Sequence, residues 1–488
     1  MAIVGAFAVP HPPIMLPEVG RGEEEKISAT TASYEAVADE IARLKPETIV
    51  ISSPHSIMYA DYFHISPGKK ARGDMGKFNA PQVKISADYD TELVDEICYL
   101  ADLYGIDDAE MGTAGGRRKA NELQAFPAGT QGERDASLDH GTLIPLYYIT
   151  KKYTDFKIVR IGLSGLPLPM HYEMGQIIQK AADRLGRRVV YVASGDLSHK
   201  MKAEGPYGFA KEGPEYDERI MSDLKNAEFE NLLSYDEVFL EKCAECGHRS
   251  FVMMAGALDG LRVTGQQLSH EATFGVGYGI CRFEVGAPDT TRHFLENYRE
   301  SKIAQLREKK RSEDPYVRLA RFSLESYITT GKRITQKDLQ GKEWEDLPEE
   351  IFSAKAGAFV SIHKDGALRG CIGTILPTCK CVADEIMQNA ISAGTTDPRF
   401  SAITEKELEF LEMSVDVLDE PEPIKGPEEL DVKRYGVIVT SGRKRGLLLP
   451  NLDGVDSIEQ QIDIACQKAG IHEGEGYMLE RFEVIRHE

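Results

Sequence analysis

Strand-like and helix-like segments alternate through the first part of the chain, and this alternation limits the folds open to it. Apolar runs of strand length lie at 2–9, 47–53, 157–163, 188–194 and 273–284. Helical patterns separate them, at 23–44, 89–104, 170–185, 215–226 and 248–261. Strands that alternate with helices in this way predict a mostly parallel α/β sheet with helices on both faces.

A second domain is expected because 488 residues exceed the length at which one hydrophobic core stops growing. The stretch 286–312 is polar and carries charges of both signs, so it predicts a linker with weak helical character from Arg292 to Arg311. Beyond it, helical patterns mix with short strands, including a hairpin around Asp365-Gly366. We therefore predict an α/β domain at 1–285, a charged linker at 286–312 and an α+β domain at 313–488.

Composition narrows the classes of partner. The formal charge of −21 argues against nucleic acid and against an anionic membrane surface, since both require basic patches. The N-terminal segment lacks the basic region of a signal peptide, and apolar runs stay short of a membrane span. Eight cysteines are not a disulfide-rich content. We expect a cytoplasmic protein that acts on a small molecule, with a homo-oligomer left open.

Three histidines follow directly on three predicted strands. His11 follows the first strand, His55 the second, and His199 the strand at 188–194. Ligands of open α/β sheets bind outside the carboxyl ends of the strands, so these imidazoles are expected in one crevice. Imidazole is the commonest protein metal ligand and a frequent general base. The pattern therefore indicates a metal-centred active site.

Neighbouring residues refine this site. His140 lies in a tight turn and is expected to point into the same crevice, with Asp139 capping the next helix. Asp196 lies three residues before His199, so it is expected to orient that ring through its second nitrogen. Each residue taken alone is also explained as a turn or cap residue, and only the set favours a functional site.

The ordered motifs of residues 1–285 resemble the B subunit (LigB type) of class III extradiol dioxygenases and its relative, the Memo family. The resemblance rests on strings that share their order with the family, namely Pro10-His11-Pro12-Pro13, Ser53-Pro54-His55-Ser56, Gly73-Asp74-Met75-Gly76, Asp139-His140-Gly141-Thr142, Ser194-Gly195-Asp196-Leu197-Ser198-His199, Gly205-Pro206-Tyr207-Gly208-Phe209 and Ala255-Gly256-Ala257-Leu258. By this resemblance His11 and His55 are metal ligands, His199 is the acid/base histidine, and His140 handles protons or binds substrate.

The third metal ligand departs from the dioxygenase pattern. The dioxygenases place a glutamate near Glu245, whereas Memo relatives place a cysteine followed by glycine, as in Cys246-Gly247. Both stay candidates, and Cys246 is slightly favoured. A carboxylate suits Fe(II), the favoured divalent metal by resemblance, while a thiolate shifts the preference toward Zn or Cu.

Residues 313–486 resemble the AMMECR family through Leu368-Arg369-Gly370-Cys371-Ile372-Gly373-Thr374 and three further strings. Arg369 and Cys371 alternate on one strand and so share a face, where they would form a second site with an anion-binding arginine and a reactive thiol. A packed cysteine on a glycine-bent strand is the alternative. Fusion with a Memo-like domain implies a radical-SAM protein as a partner, by association alone.

Two functions from different classes are compatible with these residues. The first is an oxidoreductase similar to class III extradiol dioxygenases, acting on a phenolic, catechol-like or other chelating small molecule, with His199 moving the proton. The second is a Memo-like scaffold or redox protein that binds iron or copper without dioxygenase turnover. The identity of the third ligand discriminates between them.

Overall fold

The architecture described here comes from a computed structural model of the chain. It describes residues 2–104, 125–133, 137–364, 366–452, 454–472 and 474–488. Contacts divide the protein into two compact units, Met1–Arg299 and Glu300–Glu488.

The first unit is built on a six-stranded mixed sheet. Its strands among the described residues are β1 (Ile3–Val9), β2 (Thr48–Ser53), β3 (Phe63–His64), β4 (Lys70–Met75), β5 (Ala80–Asp88), β6 (Ala128–Gly129), β7 (Lys157–Gly162), β8 (Val189–Ser194), β9 (Leu261–Glu271) and β10 (Tyr278–Pro288). The main sheet has the order β7-β2-β8-β1-β10-β9. Strands β7, β2, β8 and β1 run parallel, while β10 joins β1 antiparallel. Two small two-stranded sheets, β3-β6 and β4-β5, accompany it.

Helices cover both faces of this sheet. Those described in the first unit are α1 (Pro17–Gly20), α2 (Ser28–Leu44), α3 (Thr91–Asp102), α4 (His140–Thr150), α5 (Leu168–Leu185), α6 (Glu212–Asn226), α7 (Phe229–Leu232), α8 (Glu237–Cys243), α9 (His248–Ala257) and α10 (Phe294–Arg311), which continues into the second unit. Two hydrophobic clusters result, one on each face. In β1, Ala6 and Ala8 face one cluster, and Phe7 and Val9 face the other. A strand buried on both faces is a near-continuous apolar run, which is why the parallel strands can be recognised in the sequence.

The antiparallel edge of the sheet differs from the prediction. The helix expected at 248–261 ends at Ala257, and β9 begins at Leu261. The strand expected at 273–284 begins at Tyr278 and pairs with β9 as a hairpin. Much of β9 is only half-buried or exposed, so it lacks the apolar run that marks the central strands. The α/β class with a mostly parallel sheet is confirmed.

The second unit has an α+β architecture. Its described strands are β11 (Gly357–Lys364), β12 (Ala367–Gly373), β13 (Leu411–Leu418), β14 (Glu422–Ile424), β15 (Gly436–Ser441), β16 (Lys444–Leu448), β17 (Met478–Phe482) and β18 (Val484–His487), and its helices after α10 are α11 (Pro315–Thr330), α12 (Val382–Thr395) and α13 (Ile458–Ala469). They form two four-stranded sheets, β12-β11-β13-β18 and β14-β17-β15-β16. The predicted hairpin is present as the antiparallel pair β11-β12, although Asp365 of its turn lies outside the described residues. This class, too, is confirmed.

The segment expected as a charged linker contains ordered secondary structure. It includes the end of β10 and helix α10, whose Leu295 is buried in the core of the first unit. Leu306, further along α10, is also buried, and Lys310 donates to the carbonyl of Leu408.

None of the helices described is long and apolar enough to cross a membrane.

Candidate metal centre

Three neighbouring strands of the first unit deliver the predicted histidines to one place. Strands β2, β8 and β1 are adjacent and parallel, so their carboxyl ends meet at the same edge of the sheet. His11 follows β1 and His55 follows β2. His140 is the first residue of α4, and the side chain of Asp139 caps that helix by accepting from Thr142 N. The His140 ring stacks on His55 with centroids 4.0 Å apart and lies edge-on to His11 at 5.3 Å.

The ligand atoms of two histidines and one cysteine converge. His11 Nε2 lies 3.0 Å from His55 Nε2, and Cys246 Sγ lies 3.7 Å from His11 Nε2. The three ligand atoms all lie within 4.8 Å of one another. Of the residues described by the structure, His11, His55 and Cys246 form the group with this property.

This donor set fits a first-row transition metal. Bonds of about 2.0–2.3 Å to nitrogen and sulfur, at tetrahedral or octahedral angles, place neighbouring donor atoms roughly 3–3.7 Å apart. The observed separations of 3.0 and 3.7 Å match that spacing. Imidazole and thiolate are also the ligand types that zinc, copper and iron accept, whereas magnesium and calcium prefer oxygen.

The electrostatics of the cluster favour neutral imidazoles, which can offer a lone pair to a metal, over protonated ones. Burial lowers the pKa of His11 well below its usual value, and the neighbouring His55 lowers it further. Burial also lowers the pKa of His55, and it lowers that of His140 to about 3, with His11 and His55 adding to the effect. Burial raises the pKa of the Cys246 thiol, as does Asp196. A bound cation would supply the charge that stabilises the thiolate.

Contacts between Asp196, which follows β8, and the loop before α9 place Cys246. Asp196 N lies 3.3 Å from Cys246 Sγ, and Cys246 N donates to the carbonyl of Asp196. Glu245, the alternative ligand, is directed elsewhere. Its carboxylate accepts from His248 N at 2.6 Å, in the first turn of α9. Burial raises its pKa to about 7. The geometry therefore brings Cys246, and not Glu245, to the two histidines.

The prediction that Asp196 bonds to the His199 ring is wrong. Asp196 Oδ1 instead accepts from the backbone N–H of His11 at 2.7 Å, because β1 and β8 are neighbours and their ends face each other. His199 Nδ1 is buried and, among the described residues, has no hydrogen-bond partner. The charge of His199 still opposes the rise of the Asp196 pKa, which burial brings to about 6. Its ring lies edge-on to Tyr207 at 5.2 Å.

Two family models match the chain. Residues 5–281 match the model described as the catalytic LigB subunit of aromatic ring-opening dioxygenase. The chain belongs to the LigB family. Residues 317–487 match the AMMECR1 model, so a LigB domain is followed by an AMMECR1 domain.

Relatives match either the whole chain or about a third of its length. A protein of Clostridium acetobutylicum is 42% identical over 491 residues, covering 100% of this chain and 99% of the relative. A Thermotoga maritima protein is 49% identical over 177 residues, which is 36% of this chain and 98% of that one. A crystal structure from Pyrococcus horikoshii shares 33% identity over 35% of this chain and 88% of that one, with a TM-score of 0.31. A crystal structure from Escherichia coli K12 shares 16% identity over 57% and 99%, with a TM-score of 0.34.

The LigB domain contains supporting residues that the sequence analysis did not single out. Ser53 Oγ donates to Asp139 Oδ1 at 2.6 Å and accepts from His55 N at 3.2 Å, which connects the end of β2 to the cap of α4. Ser194 Oγ lies 2.9 Å from His11 Nδ1. Both serines are the last residues of their strands, and that shared position is the signal that could have identified them.

In the AMMECR1 domain, the pair Arg369 and Cys371 is not arranged as expected. The Arg369 guanidinium pairs with Glu407 and donates to the carbonyls of Ser401 and Ala402, so protein groups occupy it. Ile362 and His363 of β11 pair with Gly370 and Leu368 of β12, so Arg369 is the extra residue of a bulge in β12. Cys371 Sγ accepts from Ser361 Oγ at 3.3 Å.

The guanidinium next to Cys371 belongs to Arg399. It donates to the Cys371 carbonyl at 3.1 Å and pairs with Asp397, which also accepts from Cys371 N. This pairing holds the pKa of Asp397 well below the usual carboxyl range, so the carboxylate stays charged. The cysteine is thus fastened to the 397–399 turn through its backbone.

Proposed function

We propose that the LigB domain is a metal-dependent enzyme similar to aromatic ring-opening dioxygenases, acting on a phenolic, catechol-like or other chelating small molecule. The observation that carries the proposal is the convergence of His11 Nε2, His55 Nε2 and Cys246 Sγ within 4.8 Å, with His140 in ring contact with both histidines. When bound, the metal supplies positive charge that favours the ionised form of a substrate oxygen.

The remaining histidines have distinct roles in this proposal. A histidine whose pKa is about 3 is a neutral imidazole near pH 7, with one ring N–H and one lone pair, so His140 suits substrate binding through a hydrogen bond. His199 is the proton-transfer residue, because its buried Nδ1 lacks a partner among the described residues. Tyr207 lies in T-shaped ring contact with His199. Asp196 supports the site by holding the backbone of His11.

Iron(II) is the proposed physiological metal, with zinc and copper as alternatives. Membership of the LigB family supports iron, whereas a thiolate ligand in place of a carboxylate favours softer ions. Metal analysis of protein purified without oxygen tests this choice. Iron in the His11–His55–Cys246 site supports the proposal, and stoichiometric zinc or copper with no iron contradicts it.

A second candidate function has one observation in its favour. Glu245 is bonded to the start of α9, so the donor set contains no carboxylate of the kind that completes a standard non-haem iron site. This favours a metal-binding scaffold or redox protein without dioxygenase turnover. The two candidates differ in whether a substrate consumes oxygen.

The test is oxygen uptake by iron-loaded protein with a panel of catechols and other chelating phenols. The enzyme proposal predicts uptake in the wild type, and His199→Ala should abolish it while retaining the metal. His293→Ala is the matched control, since His293 pairs with Asp259 outside the site. Metal retention with no uptake on any member of the panel would favour the scaffold. Full activity in His199→Ala would refute the role of His199.

A further inference from the structure

A proline inside a helix leads to a hydrogen bond that controls the His11 ring. Helix α4 contains Pro145, four residues after Gly141. A helical carbonyl normally accepts from the N–H four residues later, and proline has none. The first helical bond of α4 is made, since Leu143 N donates to Asp139 O at 2.8 Å. The Gly141 carbonyl is therefore deprived of its helical donor.

Ser194 donates to this carbonyl instead. Its hydroxyl lies 2.6 Å from Gly141 O, and a carbonyl can only accept. The single hydroxyl proton of Ser194 lies in this bond, so it cannot also be donated to His11. Ser194 is fully buried at the end of β8, so no solvent competes for the bond.

The committed hydroxyl fixes the tautomer of His11. Because Ser194 Oγ has no second proton, its 2.9 Å contact with His11 Nδ1 requires that Nδ1 carries the hydrogen and donates. Nε2 is then left with its lone pair. That atom faces His55 Nε2 at 3.0 Å and Cys246 Sγ at 3.7 Å. The opposite tautomer would place a proton where the metal is proposed to bind.

Gly141 has a second reason to be at this position. A Cβ added there would overlap Ser53 Oγ and would lie 3.5 Å from His11 Nδ1. A side chain at this position would therefore displace Ser53, which bonds to the Asp139 cap of α4.

We propose that Pro145, Gly141 and Ser194 form a positioning relay that holds His11 in its metal-binding tautomer. The inference rests on the proposed metal site and adds residues to it that touch neither metal nor substrate. Partners that fix the tautomer of a ligating histidine typically change metal affinity by about 10–100-fold when they are removed. Ser194→Ala removes the acceptor for Nδ1–H. Pro145→Ala restores a backbone donor to Gly141 O, which weakens the bond from Ser194 because the two donors then share one carbonyl.

The two variants differ in their expected effect on stability, which separates the relay from a structural role. Alanine is a far better helix former than proline, so Pro145→Ala should leave the melting temperature unchanged or raise it while weakening metal binding. Ser52→Ala is the matched control. Ser52 is a buried serine near the end of the neighbouring β2, bonded to Ser250 Oγ at 2.6 Å.

The experiment measures Zn²⁺ affinity of the full chain by competition with a chromophoric chelator, together with the melting temperature. The relay predicts about 10–100-fold weaker binding in Ser194→Ala, weaker binding in Pro145→Ala, and wild-type binding in Ser52→Ala. Equal affinities in Ser194→Ala and Ser52→Ala would overturn the relay while leaving the metal site standing. Wild-type affinity in Pro145→Ala would remove the proline from it. A wild type that binds no Zn²⁺ would overturn both the site and the relay.

Discussion

Gly195 and Gly247 touch through their backbones, so closely that a Cβ on Gly195 would overlap the Cα of Gly247. Gly195 follows β8, and Gly247 follows Cys246 in the loop before α9. The contact allows the loop with the thiol to approach the strand end that carries Asp196. It is one physical reason why Cys246 Sγ lies 3.7 Å from His11 Nε2, although the two residues are 235 positions apart in the chain.

We expect Gly195→Ala to weaken metal binding by at least roughly tenfold, because the added methyl must displace the loop that carries Cys246. Zn²⁺ titration with a competing chelator measures the effect. Gly476→Ala is the control, since a Cβ at Gly476 meets nothing within 4 Å. Wild-type affinity in Gly195→Ala would show that the glycine contact does not position the thiol.

The two candidate third ligands should respond differently to substitution. Cys246→Ser should weaken metal binding strongly, since a hydroxyl is a poor ligand compared with a thiolate. Glu245→Gln should keep the metal and cost about 1 kcal/mol or less of stability, because an amide oxygen can still accept from His248 N. Metal content after dialysis and urea denaturation measure both effects. Loss of metal in Glu245→Gln alone would reverse the assignment.

Two buried histidines outside the metal site should make the LigB domain sensitive to acid. Burial lowers the pKa of His171 and of His248 to about 3, below the usual value of 6.5. Between these values the unfolded chain binds more protons, so stability is complete above pH 6.5 and falls as the pH drops. Each histidine should lower the free energy of unfolding by about 2 kcal/mol between pH 7 and pH 5.

Denaturation at the two pH values measures this loss, and His171→Gln or His248→Gln should each reduce it by about that amount. His293→Gln provides a control of opposite sign. The hydrogen bond to Asp259 raises the pKa of His293, so its stabilisation is present at low pH and is lost as the pH rises through that pKa. Unchanged pH dependence in both His171→Gln and His248→Gln would contradict neutral burial.

The two units should fold separately. Each contains its own hydrophobic clusters, one set in Met1–Arg299 and the other in Glu300–Glu488. Fragments 1–299 and 300–488 should each show a cooperative melting transition, monitored by circular dichroism. If only one fragment melts cooperatively, the other depends on contacts beyond its own core.

The sequence was sufficient to predict that His11 and His55 lie together. His11 and His55 follow strands that are buried on both faces. Such strands are continuous apolar runs, so the position where each strand ends can be recognised in the sequence. The α/β and α+β classes follow from the same periodicities. Edge strand β9 was missed because most of its residues are polar and partly exposed.

Hydrogen-bond partners were not predictable in the same way. Asp196 was expected to bond to His199 from its spacing along the chain, but it accepts from His11 N because β1 lies beside β8. Arg369 was expected to be free for an anion, whereas Glu407 and two carbonyls of its own domain hold it. Which partner a side chain bonds to depends on how closely segments that are remote in sequence approach each other in the fold.

The most direct test of the account is X-ray absorption spectroscopy of the zinc-loaded full chain. Coordination by His11, His55 and Cys246 predicts imidazole nitrogen at about 2.0 Å and one sulfur at about 2.3 Å. The sulfur contribution should disappear in Cys246→Ser, and the His11→Ala/His55→Ala double variant should hold no stoichiometric zinc while remaining folded. A shell of nitrogen and oxygen alone in the wild type, or unchanged zinc stoichiometry in the double variant, would contradict the metal centre.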